Sequence, residues 1–127
     1  MQPDAEVRLP ADTAYVAVLR MTTAAIAARL DFTLDDIEDL RMAVGEASAI
    51  LLDRARPGGR LIARFYLDDS RVEIHVSADA VSPTPPDTNS FAWQVLNSTA
   101  SDVRAEAGDD VLTIALAVTS TTSSTPA

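Results

Sequence analysis

The pattern of apolar and polar positions predicts a short strand and a helix at the start of the chain. Apolar and polar side chains alternate over residues 5–9, which is typical of a strand, and Pro10 ends it. Asp12 or Thr13 is suited to cap the helix that follows. An apolar stripe with helical spacing consists of Tyr15, Val18, Leu19, Thr22, Ile26 and Leu30. The pattern predicts that this helix ends near Asp31.

A second helix has clearer boundary signals. Thr33 and Asp36 form a start that resembles a capping box, and Phe32 and Ile37 occupy the positions of a hydrophobic staple. The predicted core stripe of this helix consists of Ile37, Leu40, Val44, Ala47 and Leu51. The sequence Arg-Pro-Gly-Gly at residues 56–59 indicates the turn before which the helix ends.

The rest of the chain is predicted to form two hairpins separated by a loop and a short helix. The predicted strands cover residues 61–67, 72–76, 103–107 and 111–118. Three prolines place residues 80–89 in a loop. Residues 91–99 have helical spacing, with Phe91, Val95 and Leu96 expected on one side.

The order of these elements predicts one domain with an α+β fold. A strand, two helices, two strands, a short helix and two strands are expected to form a two-layer sandwich, in which helices cover one face of a mostly antiparallel sheet. The domain is predicted to span residues 1–118. The Ser/Thr-rich residues 119–127 are predicted to be a disordered tail.

Composition excludes several classes of function. A net charge of −9 and a pI of about 4.3 disfavour direct binding to DNA or to anionic lipid, and favour a basic partner or simple solubility. The chain has no cysteine, and His75 is its single histidine, so a transition-metal site and a Ser-His-Asp triad are not expected. No apolar run has the length of a membrane span, and no secretory signal is recognised, so a cytoplasmic location is expected.

The second predicted helix contains the most recognisable segment of the chain. Residues 40–47, Leu-Arg-Met-Ala-Val-Gly-Glu-Ala, follow a strand and a helix that carries Arg20. This arrangement resembles the bacterial anti-sigma factor kinases of the RsbW and SpoIIAB type, which belong to the GHKL (Bergerat-fold) superfamily of ATPases and histidine kinases. The resemblance covers residues 6–118. Residues 90–96, followed by Asp102-Val103, look most like a divergent actinobacterial branch.

The resemblance implies a catalytic and nucleotide-binding role for Glu46. In that family an E-x-x-x-N motif supplies the general base, and its Asn, one helical turn later, ligates the magnesium of ATP. Glu46 matches the base, but Ile50 stands where the Asn is expected, and an alkyl group offers magnesium no oxygen. Glu46 is therefore expected to be a vestigial base. The alternative from the residues alone is a solvated Glu on a polar helix face.

Two further motifs of the family are incomplete in this sequence. The D-x-G-x-G motif binds adenine through its Asp, and its nearest match is residues 79–83, with Val and Pro where glycines are expected. Asp79 could still meet an adenine, but the residues favour a loop-surface Asp. A glycine-containing lid, which binds the phosphates in the family, corresponds here to residues 90–93, Ser-Phe-Ala-Trp. Trp93 is interpreted as a core residue or a partner-facing anchor. No metal site and no cofactor are therefore expected.

Three functions remain open after these comparisons of motif and sequence. The first is an anti-sigma factor that sequesters an alternative sigma factor and is released by partner switching with an anti-anti-sigma protein of the STAS type. Arg20 matches a family position that contacts both partners, although it fits an ordinary solvated arginine equally well. The resemblance also implies a homodimer. The second is an active serine/threonine kinase that uses ATP and magnesium, with Glu46 and Asp79 at the nucleotide. The third is a histidine-kinase-like ATPase fragment that acts on another partner.

Overall fold

The computed structural model describes residues 1–121, and these residues form five strands and three α-helices. The strands are β1 (Ala5–Pro10), β2 (Arg60–Asp68), β3 (Arg71–Asp79), β4 (Asp102–Gly108) and β5 (Val111–Thr119). The helices are α1 (Val16–Ala27), α2 (Leu34–Leu52) and α3 (Phe91–Thr99). A short 3-10 turn at Thr13–Tyr15 precedes α1, and Asp12 caps it by accepting from the backbone N–H of Ala14.

All five strands form one antiparallel sheet in the order β1-β2-β3-β5-β4. Along β2 and β3 every second side chain is buried under the helices, including Phe65 and Ile74. The opposite face of the sheet carries no helix in the described part of the chain. The predicted α+β sandwich is therefore confirmed, because period-two burial defines one covered and one uncovered face.

The first helix buries only part of the predicted stripe, since Leu19 lies in the core and Ile26 and Leu30 pack against it. The buried companions of Leu19 one and two turns later are Thr23 and Ala27. Tyr15 and Val18 were predicted to face the core but are exposed. The prediction followed the larger apolar side chains, whereas close packing of α1 against α2 also selects the smaller Thr23 and Ala27.

The second helix begins with the predicted capping box. The Thr33 hydroxyl accepts from the Asp36 N–H, and the Asp36 carboxylate accepts from the Thr33 N–H, both at 3.1 Å. Asp36 also accepts from the N–H and hydroxyl of Thr121, just after β5. Burial raises the pKa of this carboxyl, but these hydrogen bonds outweigh burial and hold the pKa below its ordinary value.

The third helix turns a different face inward from the one predicted. Trp93 and Leu96 are buried, whereas Phe91 is 82% exposed, although it was predicted to share a side with Val95 and Leu96. Phe91 is the first residue of α3, where the backbone has only just turned helical, so spacing alone does not place its side chain in the core. The structure assigns Trp93 to the core, one of the two roles considered for it.

The end of the chain lies partly outside the described residues. Thr119 belongs to β5, and Ser120 is buried, donating from its hydroxyl to the Asp31 carbonyl at 2.5 Å. Residues 119–121 of the predicted tail thus pack against the domain, and residues 122–127 lie outside the part of the chain that is described. Within residues 1–121, no helix is both long and apolar enough to cross a lipid bilayer.

Candidate functional site

A cleft of about 290 Å³ lies between the C-terminal end of α2 and the N-terminal end of α3. Its lining residues are Ala49, Ile50, Asp53, Arg54, Pro86, Asp87, Ser90 and Ala92. The helix of the E-x-x-x-N motif and the segment that corresponds to the family's lid thus meet here. The cleft is the candidate nucleotide site.

On α2, Glu46 and Ile50 lie one helical turn apart on the same side of the helix. Ile50 lines the cleft, and Glu46 is half-buried just before it. Glu46 makes no hydrogen bond or ion pair within residues 1–121. The motif's two positions are adjacent as the resemblance implies, and the second one presents an alkyl group instead of an oxygen.

Asp79 faces away from this cleft. It is the last residue of β3, and its side chain lies with that of Ser77 on the helix-free face of the sheet. Its carboxylate accepts from the Arg60 N–H at 2.9 Å, and its carbonyl accepts from the Arg56 N–H at 2.7 Å. Because side chains alternate along a strand, the Asp79 carboxylate lies away from the cleft and closes the turn into β2. This geometry suits the surface role considered for Asp79, and its contact with adenine stays a prediction.

The helix-facing position at the end of β3 is Ala78, which is buried. Counted from Ala78, the D-x-G-x-G spacing places the two glycine positions at Ala80 and Ser82. Ser82 has a φ of 44°, in the left-handed region that favours glycine. This φ suits a spacing that begins one residue earlier than the sequence comparison assumed. On that spacing the position of the motif's Asp is Ala78, whose methyl group accepts no hydrogen bond.

The loop between β3 and α3 is bound to the end of α2. Nη1 of Arg54 donates to the Thr84 carbonyl at 2.9 Å and lies 3.3 Å from its hydroxyl. Pro86 in the same loop is buried. Sequence reasoning missed Arg54, because an exposed Arg near a helix end gives no signal for a contact thirty residues away.

The charges that line the cleft are mostly acidic. Asp53 caps the C-terminal end of α2, where the helix dipole is already negative, and Asp87 contributes a second carboxylate. Arg54 supplies the one cation in the lining, and its guanidinium is directed to Thr84. At the start of α3, the Ser90 hydroxyl accepts from the Trp93 N–H and so occupies one of the helix's free donors.

The outward face of α1 forms a second candidate site, which we call the α1 surface: Ala17, Val18, Arg20, Met21 and Ala25, together with Met42 of α2. All of these residues are exposed, and Met21 is 69% exposed. Arg20 is the single charged residue among the twelve of α1. A solvated helix face ordinarily carries several charges, and an exposed apolar one marks an interaction surface.

The helix-free face of the sheet carries a charge network with its centre at Glu73. His75 lies 2.6 Å from Glu73, and Arg104 and Arg71 lie within 4 Å of the same carboxylate. The hydrogen bond with His75 is the main cause that lowers the pKa of Glu73. His75 thus lies on the polar face, as its alternation predicts, in an ion-pair network. Among residues 1–121, no group of three His, Cys, Asp or Glu side chains is arranged to hold a metal.

Comparison with known families agrees with this fold and this arrangement of motifs. The family model of the histidine kinase-like ATPase domain matches residues 9–116. The chain therefore belongs to the histidine kinase-like ATPase domain family.

Its curated relatives include serine-protein kinases named RsbW. The one from Halalkalibacterium halodurans is 42% identical over 78 residues, which are 60% of this chain and 48% of that protein. The one from Bacillus thuringiensis is 38% identical over 79 residues, 61% of this chain and 49% of that protein. The chain thus spans about half the length of the curated relatives it matches. The resemblance to the RsbW type, first seen in residues 40–47, is confirmed.

Solved structures extend the similarity in fold. The RsbU and RsbW domains of a Mycobacterium tuberculosis protein match with a TM-score of 0.71 and 16% identity, covering 91% of this chain and 31% of that one. The mycobacterial sensor histidine kinase MprB matches with a TM-score of 0.53 and 12% identity, covering 89% of this chain and 97% of that one. At such identities the likeness concerns the fold.

Proposed function

We propose that this chain is an anti-sigma factor that binds and sequesters a sigma factor through the α1 surface and is released when a STAS-type antagonist binds the same surface. The observation that carries this proposal is the exposed apolar face of α1 with Arg20 at its edge. Such a face stabilises a complex because apolar surface is buried when the partner binds. An arginine beside it adds a directional contact to a carboxylate of the partner. The RsbW relatives supply the class of partner.

We further propose that the cleft has lost its Mg–ATP site. Three positions support this: Ile50 offers no metal ligand, Ala78 offers no acceptor to adenine, and the segment before Trp93 has no glycine. Two carboxylates at Asp53 and Asp87 also oppose a triphosphate. The residues present therefore do not suit Mg–ATP, and sequestration is proposed to need no nucleotide.

Acidic composition supports a basic partner over nucleic acid. The net charge of −9 attracts a protein with a basic surface and steers its approach. The apolar α1 surface then supplies short-range burial that charge alone does not. A homodimer and a cytoplasmic location stay predictions from the family resemblance.

The test is calorimetric titration of the purified chain with each sigma factor and each STAS-domain protein encoded in its genome of origin. We expect one sigma factor and one STAS protein to bind and to compete. Arg20→Ala is expected to lower the affinity for the sigma factor and for the STAS protein by about tenfold or more, since truncating a hot-spot arginine weakens binding by at least that factor.

Arg29→Ala is the matched control, because Arg29 is exposed, carries the same charge and lies just beyond the end of α1. The affinity of Arg29→Ala for both partners is expected to stay within about twofold of the wild-type value, because Arg29 is a peripheral charge. Absence of binding by every sigma factor and STAS protein contradicts the proposal. Equal losses in Arg20→Ala and Arg29→Ala contradict the assignment of the α1 surface.

An active serine kinase is the second candidate function, and a specific observation favours it. Glu46 keeps the family's base position on α2, half-buried and one turn before the cleft. If the chain is a kinase, Mg–ATP phosphorylates the STAS protein and Glu46→Gln abolishes the transfer. Mass spectrometry of the STAS protein after incubation with Mg–ATP decides between the two functions.

A further inference from the structure

Gly45 lies in the middle of α2, where glycine lowers helix stability because it loses more backbone entropy on folding than alanine does. No turn or positive φ explains it, since α2 is regular on both sides. The glycine is therefore explained by a neighbouring group that occupies the space a side chain would fill.

That neighbour is Arg20. A Cβ placed on Gly45 would lie 3.2 Å from Cδ and 3.4 Å from Nη1 of Arg20, closer than an unstrained contact to the first of these atoms. The Arg20 side chain thus crosses from α1 onto the backbone of α2 at Gly45, and its aliphatic part lies flat against the helix. An alanine at this position requires Cδ of Arg20 to shift by a few tenths of an ångström.

Arg20 is held by packing and not by a charge partner. Within residues 1–121 its guanidinium makes no ion pair or hydrogen bond, and the residue is exposed. Five other arginines, by contrast, form ion pairs: Arg8, Arg41, Arg64, Arg71 and Arg104. The donors of Arg20 are therefore available to an incoming acceptor, and Met21 of α1 and Met42 of α2 are exposed.

We propose that Gly45 is a positioning residue, which lets Arg20 lie across α2 with its guanidinium already oriented for a carboxylate of the partner. This positioning role rests on the proposed function. It specifies the group that the partner presents to the α1 surface, a carboxylate flanked by apolar side chains. Orientation before binding lowers the entropy lost on association, because fewer rotamers remain to be fixed. Gly45 contacts no partner atom itself and acts through Arg20.

The first experiment needs no partner. NMR relaxation of the arginine Nε–Hε groups is measured in the wild type and in Gly45→Ala. We expect the order parameter of Arg20 to fall and its signal to shift, while the signal of Arg29 stays unchanged. Urea denaturation is expected to show no loss of stability, because alanine favours the helix and the Arg20 side chain is free to move outward. An unchanged Arg20 signal overturns the proposal.

The second experiment measures affinity for the sigma factor and STAS protein that bind the wild type. Gly45→Ala is expected to weaken binding about fivefold, and the double variant with Arg20→Ala to bind no more weakly than Arg20→Ala alone, as coupled residues do. Asn97→Ala, which raises helix propensity at an exposed position of α3, is the control and is expected to bind as the wild type does.

The proposed function and the positioning role of Gly45 can be contradicted separately. If no sigma factor or STAS protein binds the wild type, the proposed function and the carboxylate partner are both contradicted, and the NMR comparison alone decides whether Gly45 orders Arg20. If the wild type binds and Gly45→Ala binds equally well, the positioning role is overturned while the proposed function stands.

Discussion

The two ends of α2 differ in what their polar groups do. At the N-terminal end, Asp36 and Thr33 satisfy each other and bind the chain that follows β5. At the C-terminal end, Asp53 meets the negative end of the helix dipole, and Ile50 lines a cleft that holds no oxygen ligand at that position. One end stabilises the domain, whereas we propose that the other retains the shape of a nucleotide site without its chemistry.

If nucleotide binding has been lost as proposed, the two ends show which polar groups a fold retains without it. Hydrogen bonds that stabilise the domain persist whatever its activity, because a buried carboxylate without partners destabilises the fold. Ligands for a nucleotide stabilise nothing in its absence, so they are replaced without penalty to folding. The α1 surface, between these ends, combines exposed apolar side chains with one oriented charge.

The largest effect is expected at the N-terminal end of α2. Asp36→Ala removes the carboxylate that accepts from the Thr33 N–H in the capping box and from Thr121, and is expected to lower the free energy of unfolding by about 2–3 kcal/mol. Urea denaturation measures this loss. Asp35→Ala, which removes an exposed carboxylate one residue earlier in the same turn, is expected to lose about 0.5 kcal/mol. Similar losses in both variants would show that Asp36 acts only through the helix dipole.

The pH dependence of stability tests the same carboxylate. The folded pKa of Asp36 lies below its ordinary value, so its contribution is fully present above the unfolded pKa and is lost as pH falls through the folded pKa. Glu73 adds a contribution of the same sign. We expect the wild type to lose stability on acidification below the ordinary carboxyl range. Chemical denaturation at a series of pH values should show that the free energy of unfolding depends less steeply on acid pH in Asp36→Ala than in the wild type. An identical dependence would show that Asp36 does not contribute to it.

In the middle of α2 a change of the opposite sign is expected. The Ser48 hydroxyl is fully buried and is the one buried side-chain polar atom of residues 1–121 without a hydrogen-bond partner. Ser48→Ala is expected to raise the free energy of unfolding by up to about 1 kcal/mol, because it removes an unsatisfied group and favours the helix. Ser77→Ala, whose hydroxyl bonds that of Thr113 at 2.9 Å, is the control and is expected to lose about 1 kcal/mol. A loss in both variants would indicate that Ser48 does have a partner.

The smallest effect is expected at the C-terminal end. Ile50→Asn restores the missing oxygen at the position of the magnesium ligand, yet fluorescence titration with an ATP analogue should still show no saturable binding at micromolar concentrations. Ala78 and the segment before Trp93 remain unsuited to adenine and phosphates, and one ligand does not rebuild a site. Saturable micromolar binding by Ile50→Asn, and not by the wild type, would show that the site lacks a single residue.

Sequence patterning predicted the sheet and α2 well, because each signal there is local. Strand alternation, the Thr33–Asp36 capping box and the turn after α2 depend on neighbouring residues. Tyr15 and Val18 of the predicted α1 stripe, and Phe91 of α3, were placed wrongly, because packing between elements decides which side chains are buried.

The candidate site was predictable only in part. Glu46 and Ile50 lie on one helix and were placed correctly relative to each other. Asp79 was assigned from motif spacing, and a shift of one residue along a strand moves a side chain to the opposite face of the sheet. The contact between Arg20 and Gly45 joins two helices, and no pattern within either helix predicts it.

The central claim is that the chain works by binding at the α1 surface and not by nucleotide chemistry in the cleft. The most direct test is the affinity of the wild-type chain for its sigma factor, measured by calorimetry with and without saturating Mg–ATP. The account predicts dissociation constants that agree within about twofold. A complex that is about tenfold tighter with Mg–ATP, or that forms only in its presence, would contradict it.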